Sequence, residues 1–440
     1  MKRLLVWMLM LLCATGLGGC QSKTTLSPAA PVTLTMWHVY GEQADSPMNR
    51  LIAQFNETVG REKGIVIDVT VMTNSTKIRA LLLDAHANKP GVPKMPDLFS
   101  CHLSIVKKMG AEHLLDWQDY FSDEELSHFV DVFIEDGMVE ERLAVFPVSK
   151  SSYALFLNGS QFDRFSAETG VSFEDLADWD GFFDAAARYY DWSGGKSFCA
   201  FDYLIRNMEL DAMAQGGSLY AADGWYDLGN PALRESWDRF VRPLIRGHIA
   251  ISAPYASTRL MTGESLAGIG STAGILYYND TVTYPDNTSE PANLCVLPLP
   301  KTKGAPGMMP QTGVGLSAYR TTEQKAEAAS VFLHWFTESQ RNLEFVVDTG
   351  YMPVNKGSFE AIDSYPFPSE SHRELYGAIK TMWESYTPVT RTAHNGFMDE
   401  ADALCEGLLQ MQPSLHQRAR QGEDMDVLAE ETWELFCSVR

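Results

Sequence analysis

The sequence predicts an α/β protein made of two α/β halves, and three observations carry that prediction. Strand and helix patterns alternate β-α-β-α-β between Val32 and Ser100, and a second alternation opens at Tyr153. The chain of 440 residues is also long enough for two or three domains, each with a substantial core.

The elements follow in order from the start. Met1-Lys2-Arg3 is a short basic head, followed by an apolar run from Leu4 to Leu12. That run is well short of the roughly 18 residues a membrane span needs, so it is expected to be a secretory signal. It ends in Leu17-Gly18-Gly19-Cys20, which resembles a bacterial lipoprotein box. The resemblance implies a signal peptide over residues 1–19, cleavage before Cys20 and lipidation of that cysteine. Anchoring would then rest on two or three acyl chains, since one binds only marginally. Residues 20–31 become a lipid-anchored tether, and its polar Ser/Thr/Ala/Pro composition predicts mobility.

Val32-Thr33-Leu34-Thr35-Met36-Trp37 alternates as a strand, with Trp37 expected in the core. Ser46 before Pro47 is a helix start, and Met48, Leu51, Ile52 and Phe55 recur on one face. Ile65 to Met72 is β-branched and nearly continuous, as in a buried strand. Lys77 to Asn88 is helical in pattern, and Met95 to Ser100 is a short strand, which together predict a mostly parallel sheet. Tyr153 to Leu157 opens the second half, and a helix carrying Phe182, Phe183 and Ala186 follows. Asp223 to Asp227 suggests a hairpin that keeps Trp225 away from any site. Asp280 to Pro291 is rich in turn residues and predicts an exposed loop insertion.

Composition excludes several functions. A net charge of -22 argues against a nucleic-acid partner, because phosphate recognition needs a basic surface. Beyond Cys13 and Cys20, the cysteines 101, 199, 295, 405 and 437 are odd in number and widely spaced, so no disulfide framework is indicated and at most one pair is bridged. No zinc-spaced Cys/His cluster, nucleophile elbow, H-E-x-x-H or phosphate loop occurs. No cofactor, no metal and no enzymatic activity are therefore expected. The acid pairs Glu124-Glu125, Glu140-Glu141 and Glu430-Glu431 are expected to be solvated helix faces.

Five segments, in order, are similar to the family 1 extracellular solute-binding proteins of ABC importers, the maltose-binding-protein-like group. They are Thr35 to Glu42 with the helix ending Ala53-Gln54-Phe55-Asn56; Met95-Pro96-Asp97-Leu98-Phe99; and Val145 to Asn158. The last two are Gln215-Gly216-Gly217-Ser218 with Gly224 to Pro231, and Met261 to Ser271 with Leu297-Pro298-Leu299-Pro300 and Gly350 to Val354. The resemblance implies a two-lobed periplasmic-binding-protein-like (type II) fold with a hinge and an interlobe cleft. Lobe one would comprise residues 31–148 and 268–315, and lobe two residues 149–267 and 316–440, with bends near Val148-Ser149 and Gly268 to Gly270.

Ligands in α/β sheets bind beyond the carboxyl ends of strands. That rule and the resemblance together select Tyr40, Glu42, Cys101, His102, Ser151, Tyr153, Gly217, Ser218, Ser271, Thr272, Gln311, Thr312, Asn395 and Phe397. A sugar needs an aromatic plate and polar edge partners; Tyr40, Tyr153 and Phe397 suit the first role. Ser151, Ser218, Ser271, Glu42 and Gln311 suit the second. The family's tryptophan after the glycine at 270 is replaced here by Ser271-Thr272-Ala273. The expected function is an extracytoplasmic, membrane-anchored, monomeric lipoprotein that delivers a small solute, with a carbohydrate favoured, to ABC permease subunits. A polyol, polyamine or peptide ligand, or a sensor role, stays open, while the absence of a Lys/Arg cluster disfavours phosphate.

Overall fold

The computed structural model describes residues 24–40, 46–71, 75–216, 218–252, 255–390 and 397–439, except the side chains of 71, 75, 76 and 397–399. The predicted signal peptide, Cys20, and residues 21–23 of the tether lie outside them. Two sheets organise the chain.

The first has the strand order Gly315–Ala318, Leu98–Cys101, Val32–His38, Ile65–Val71. Val32–His38 pairs in parallel with both neighbours, and Gly315–Ala318 closes one edge antiparallel to Leu98–Cys101. The alternation seen in sequence is physical, for Val32, Leu34 and Met36 are buried while Thr33 and Thr35 are exposed. Ser46 accepts from the Asn49 amide as the cap of Pro47–Glu57, whose buried face is Met48, Leu51, Ile52 and Phe55. Phe55 meets Phe332 and Trp335 edge-on at 5.1 and 5.3 Å, which seats Glu323–Phe336 on the same sheet face. The other face holds Trp37, Phe99 and Val106 against Ile78 and Leu82 from Ser75–His86.

The second sheet runs Cys295–Leu297, Tyr153–Leu157, Ser265–Ser271, Ser197–Phe201, Ile249–Ile251. Tyr153–Leu157 is antiparallel to its neighbours on both sides, and the remaining pairs are parallel. Helices Trp179–Trp192 and Pro231–Arg246 cover it with an aromatic layer in which Trp179 lies 4.7 Å from Phe240. The C-terminal helices Phe397–Arg420 and Met425–Ser438 pack behind, with Trp237 donating to Thr432.

Several expectations are corrected by this topology. Strand Ser265–Ser271, divided above between the lobes at 267/268, and Cys295–Leu297, assigned to lobe one, both lie in the second sheet, and Gly315–Ala318, divided at 315/316, lies wholly in the first. Gly268 and Gly270 lie inside a central strand rather than at a bend, because Gly270 must admit the Asp202 carboxylate, which a Cβ would meet at 2.3 Å. The chain instead crosses between the sheets at 147–152 and 311–314, and these passes are bridged to each other at Ser151 and Thr312 and to the 350s at Lys150 and Met352.

The described part of the tether is held in place. Glu327 accepts from Thr24 Oγ1, the Thr25 amide and Thr25 Oγ1 at 2.5, 2.8 and 2.6 Å. The Asp280 to Pro291 insertion is a hairpin, Thr281–Thr283 with Ser289–Pro291. Among the described residues no disulfide joins the five cysteines, and no helix is long and apolar enough to cross a membrane.

Candidate ligand cleft

A cavity of about 750 Å³ opens between the two sheets, at the carboxyl ends of their parallel strands, a size within the range of small-molecule sites. Each strand end contributes: Tyr40 follows Val32–His38, His102 follows Leu98–Cys101, Asp202 and Tyr203 follow Ser197–Phe201, and Tyr255 follows Ile249–Ile251. Ser271 ends its own strand and sits opposite Tyr153 in the ladder. The crossing segments close the floor with Ser151, Gln311 and Thr312.

Of the residues selected from sequence, Tyr40, His102, Ser151, Tyr153, Ser271, Gln311 and Thr312 line this cavity together. Tyr40 is a wall residue: its hydroxyl lies 3.0 Å from Ser149 Oγ and its ring is edge-on to Phe345 and Tyr351. Tyr153 stacks on Tyr203 at 4.8 Å, with the planes 11° apart. Gln311 donates from its amide to Thr390 Oγ1, and its main-chain amide donates to the Val389 carbonyl. Ser151 is tied to Thr312 through both main-chain hydrogen bonds.

Three selected residues stand elsewhere. Cys101 points beneath the sheet, within 3.2 Å of Ser317 Oγ, and burial pushes its thiol up to about 12. Thr272 is buried behind the wall, where its hydroxyl accepts from the Ser152 amide. Ser218 is exposed on a loop, bonded to the Tyr220 carbonyl. Glu42, Gly217 and Asn395 lie outside the described residues; Phe397 begins a helix, and its side chain is not among them.

Sequence reasoning missed much of the aromatic lining. The cavity has seven tyrosines, 40, 153, 203, 255, 277, 278 and 351. Tyr203, Tyr255 and Tyr277 are open to the cleft, and the last two face each other nearly parallel at 6.1 Å. Asp202 was also missed. Its Oδ1 accepts from Ser252 Oγ at 2.8 Å and from the Ala256 amide at 2.6 Å, while burial raises its pKa. The His102 ring keeps solvent contact in the crevice, yet the protein walls around it lower its pKa by desolvation, helped by the Lys150 charge. Among the described residues no group of three or more His, Cys, Asp and Glu is placed to hold a metal.

Stacked phenol rings, hydroxyls and a carboxylate around a cleft can recognise a solute with apolar faces and polar edges. A family model described as bacterial extracellular solute-binding protein matches residues 50–369. The chain belongs to that family. Solved structures share the two-lobed fold. The cyclic α-maltosyl-1,6-maltose binding protein of Arthrobacter globiformis is 17% identical with a TM-score of 0.66, covering 93% of this chain and 99% of that one. An ABC substrate-binding protein of Listeria monocytogenes, solved with cycloalternan, is 13% identical with a TM-score of 0.68 and covers 92% and 99%. UgpB of Mycobacterium tuberculosis, solved with glycerophosphocholine, is 16% identical with a TM-score of 0.64 and covers 92% and 97%. Among curated proteins none matches the sequence significantly.

Proposed function

We propose that this solute-binding protein captures a saccharide in the tyrosine-lined cleft and presents it, unchanged, to an ABC importer. The observation that carries the reading is the cleft itself: seven tyrosines, with Ser151, Ser271 and Thr312 at their edges, around a volume of about 750 Å³. Ring faces suit the C–H faces of a pyranose, and hydroxyls suit its edges. Two of the three solved relatives named above are described by the sugars they bind, which supports the same class here.

The same proposal places residues 32–147 and 314–361 in one lobe and residues 153–310 and 365–439 in the other, with the bridged crossings as the hinge. Closing the lobes over the solute would create the surface a permease reads. The lipoprotein box at Cys20 supports attachment of the monomeric protein to a membrane by lipid. A thermal-shift screen across neutral, acidic and amino saccharides tests the reading. A ligand at about a hundred times its dissociation constant stabilises by roughly 2.7 kcal/mol, and the absence of a shift with every saccharide would refute it.

A further inference from the structure

The cleft holds a carboxylate that has no counter-ion among the described residues. Asp202 uses only Oδ1 for structure, accepting from Ser252 Oγ and from the Ala256 amide that opens the short helix Ala256–Met261. Its Oδ2 lies against the Cα of Gly270, on the cavity wall, and has no hydrogen-bond or ion-pair partner among the described residues. Among the described residues the basic groups nearby, Arg206 and Lys150, are committed elsewhere. Arg206 binds Glu209 at 2.8 Å and the Val389 carbonyl at 3.1 Å, and Lys150 binds Asp136. Asp402, on the same lining, adds a second acid rather than a cation.

The surroundings favour positive charge in a second way. Tyr203, Tyr255 and Tyr277 leave 42%, 53% and 49% of their surface open, and these rings line the same cavity as Asp202. Tyrosine faces attract ammonium groups, most strongly where water is excluded. A neutral hydroxyl could satisfy Oδ2 by donating to it, but only a cation also offsets the burial that raises the Asp202 pKa and disfavours its charge.

We propose that the solute carries an ammonium group seated on Asp202 Oδ2 among the tyrosine faces, so that the cleft prefers amine-bearing saccharides to neutral ones. This rests on the saccharide reading and narrows it. Capping the 256–261 helix does not by itself require the charge, since asparagine caps as well as aspartate. Asp202→Asn therefore keeps the cap and removes the seat.

The test is calorimetric titration of the protein with the glucosamine trisaccharide, its N-acetylated counterpart and maltotriose, at a pH that keeps the amine protonated and Asp202 ionised. The expected order has the free-amine sugar tightest. Asp202→Asn should weaken that sugar about tenfold or more, the scale of a lost charged hydrogen bond, and should change the neutral sugars less than about twofold. Asp202→Ser serves as the second variant should the first fold poorly, with melting temperature checking both. Neutral sugars binding as tightly as the amine, or all three sugars weakened equally by the substitution, would overturn the ammonium seat while leaving saccharide capture intact. Binding of spermidine alone, abolished in Asp202→Asn, would keep the seat and refute the saccharide reading; no binding by any of these probes would overturn both.

Discussion

Tyr153 and Tyr203 lie face to face, with ring centroids 4.8 Å apart and planes 11° from parallel, one at the start of an antiparallel strand and the other just past a parallel one. The pair forms a two-ring wall whose inner member is buried and whose outer member opens to the cleft. The two rings should therefore answer differently to truncation. Tyr203→Ala should reduce solute affinity about two- to twelvefold, by loss of a stacking face worth about 0.5–1.5 kcal/mol, and change the melting temperature little. Tyr153→Ala should lower stability by about 3 kcal/mol, as a large-to-small change in a packed wall, and lower affinity as well. Calorimetry of the free variants, followed by titration, separates the two effects.

Ser151 gives a cleaner probe of the crossing segment, because its main chain makes the bridge to Thr312 and its side chain is spare for a ligand. Ser151→Ala should cost about 0.5–1.5 kcal/mol of binding, a loss of roughly two- to twelvefold, with unfolding unchanged within about 0.5 kcal/mol. Lost stability with retained affinity would move Ser151 out of the site.

His38 should govern part of the acid response. It is buried, with Nε2 2.9 Å from Asn49 Oδ1 and Nδ1 accepting from the Tyr40 amide at 3.2 Å, so the fold holds the neutral ring. Burial lowers its pKa despite the Asn49 bond. A depressed histidine pKa means the folded state binds fewer protons than the unfolded one. The stabilisation is thus complete above the unfolded value of about 6.5 and declines as pH falls below it towards the folded pKa. Urea midpoints measured between pH 7.5 and 5 should fall for the parent protein and fall less for His38→Gln, the control that keeps a donor and an acceptor.

The N-terminal segment should be docked rather than swinging. Glu327→Ala removes the acceptor for three hydrogen bonds from Thr24 and Thr25. Faster proteolysis and faster amide exchange over residues 24–30 should result, with global stability changed by less than about 1 kcal/mol, because the site is exposed. Cys20→Ala, at the proposed anchor, should release the protein from the membrane fraction and leave solute affinity as it was. Retention on the membrane would contradict the lipid anchor.

How far the sequence carried these features can be judged residue by residue. Trp37, Phe55 and the Ser46 cap were legible because periodicity and capping are local. Tyr40 and His102 were legible because they follow recognisable strands, and Ser151 because it lies in the crossing segment, Val145 to Asn158, that resembles the family's. Cys101 was misplaced by one position of strand alternation, which turns it under the sheet while His102 turns into the cleft. Asp202 and Tyr203 obey the same strand-end rule, but Ser197–Phe201 carries too weak a pattern to mark the strand beforehand. Gly268 and Gly270 resemble a flexible crossing in one dimension, and only pairing with Tyr153–Leu157 on one side and Ser197–Phe201 on the other reveals a central strand. The anchoring of Thr24 and Thr25 joins residues about 300 apart, beyond any local signal.

Amide exchange read with and without the saccharide that gives the largest thermal shift tests the central claim most directly. Capture in the tyrosine cleft predicts added protection concentrated at 202–206, 255–257 and 271–278 in one lobe, at 102 in the other, and at 151–153 and 311–313 in the hinge crossings. Protection confined to another surface, or to one lobe alone, would contradict binding between the lobes.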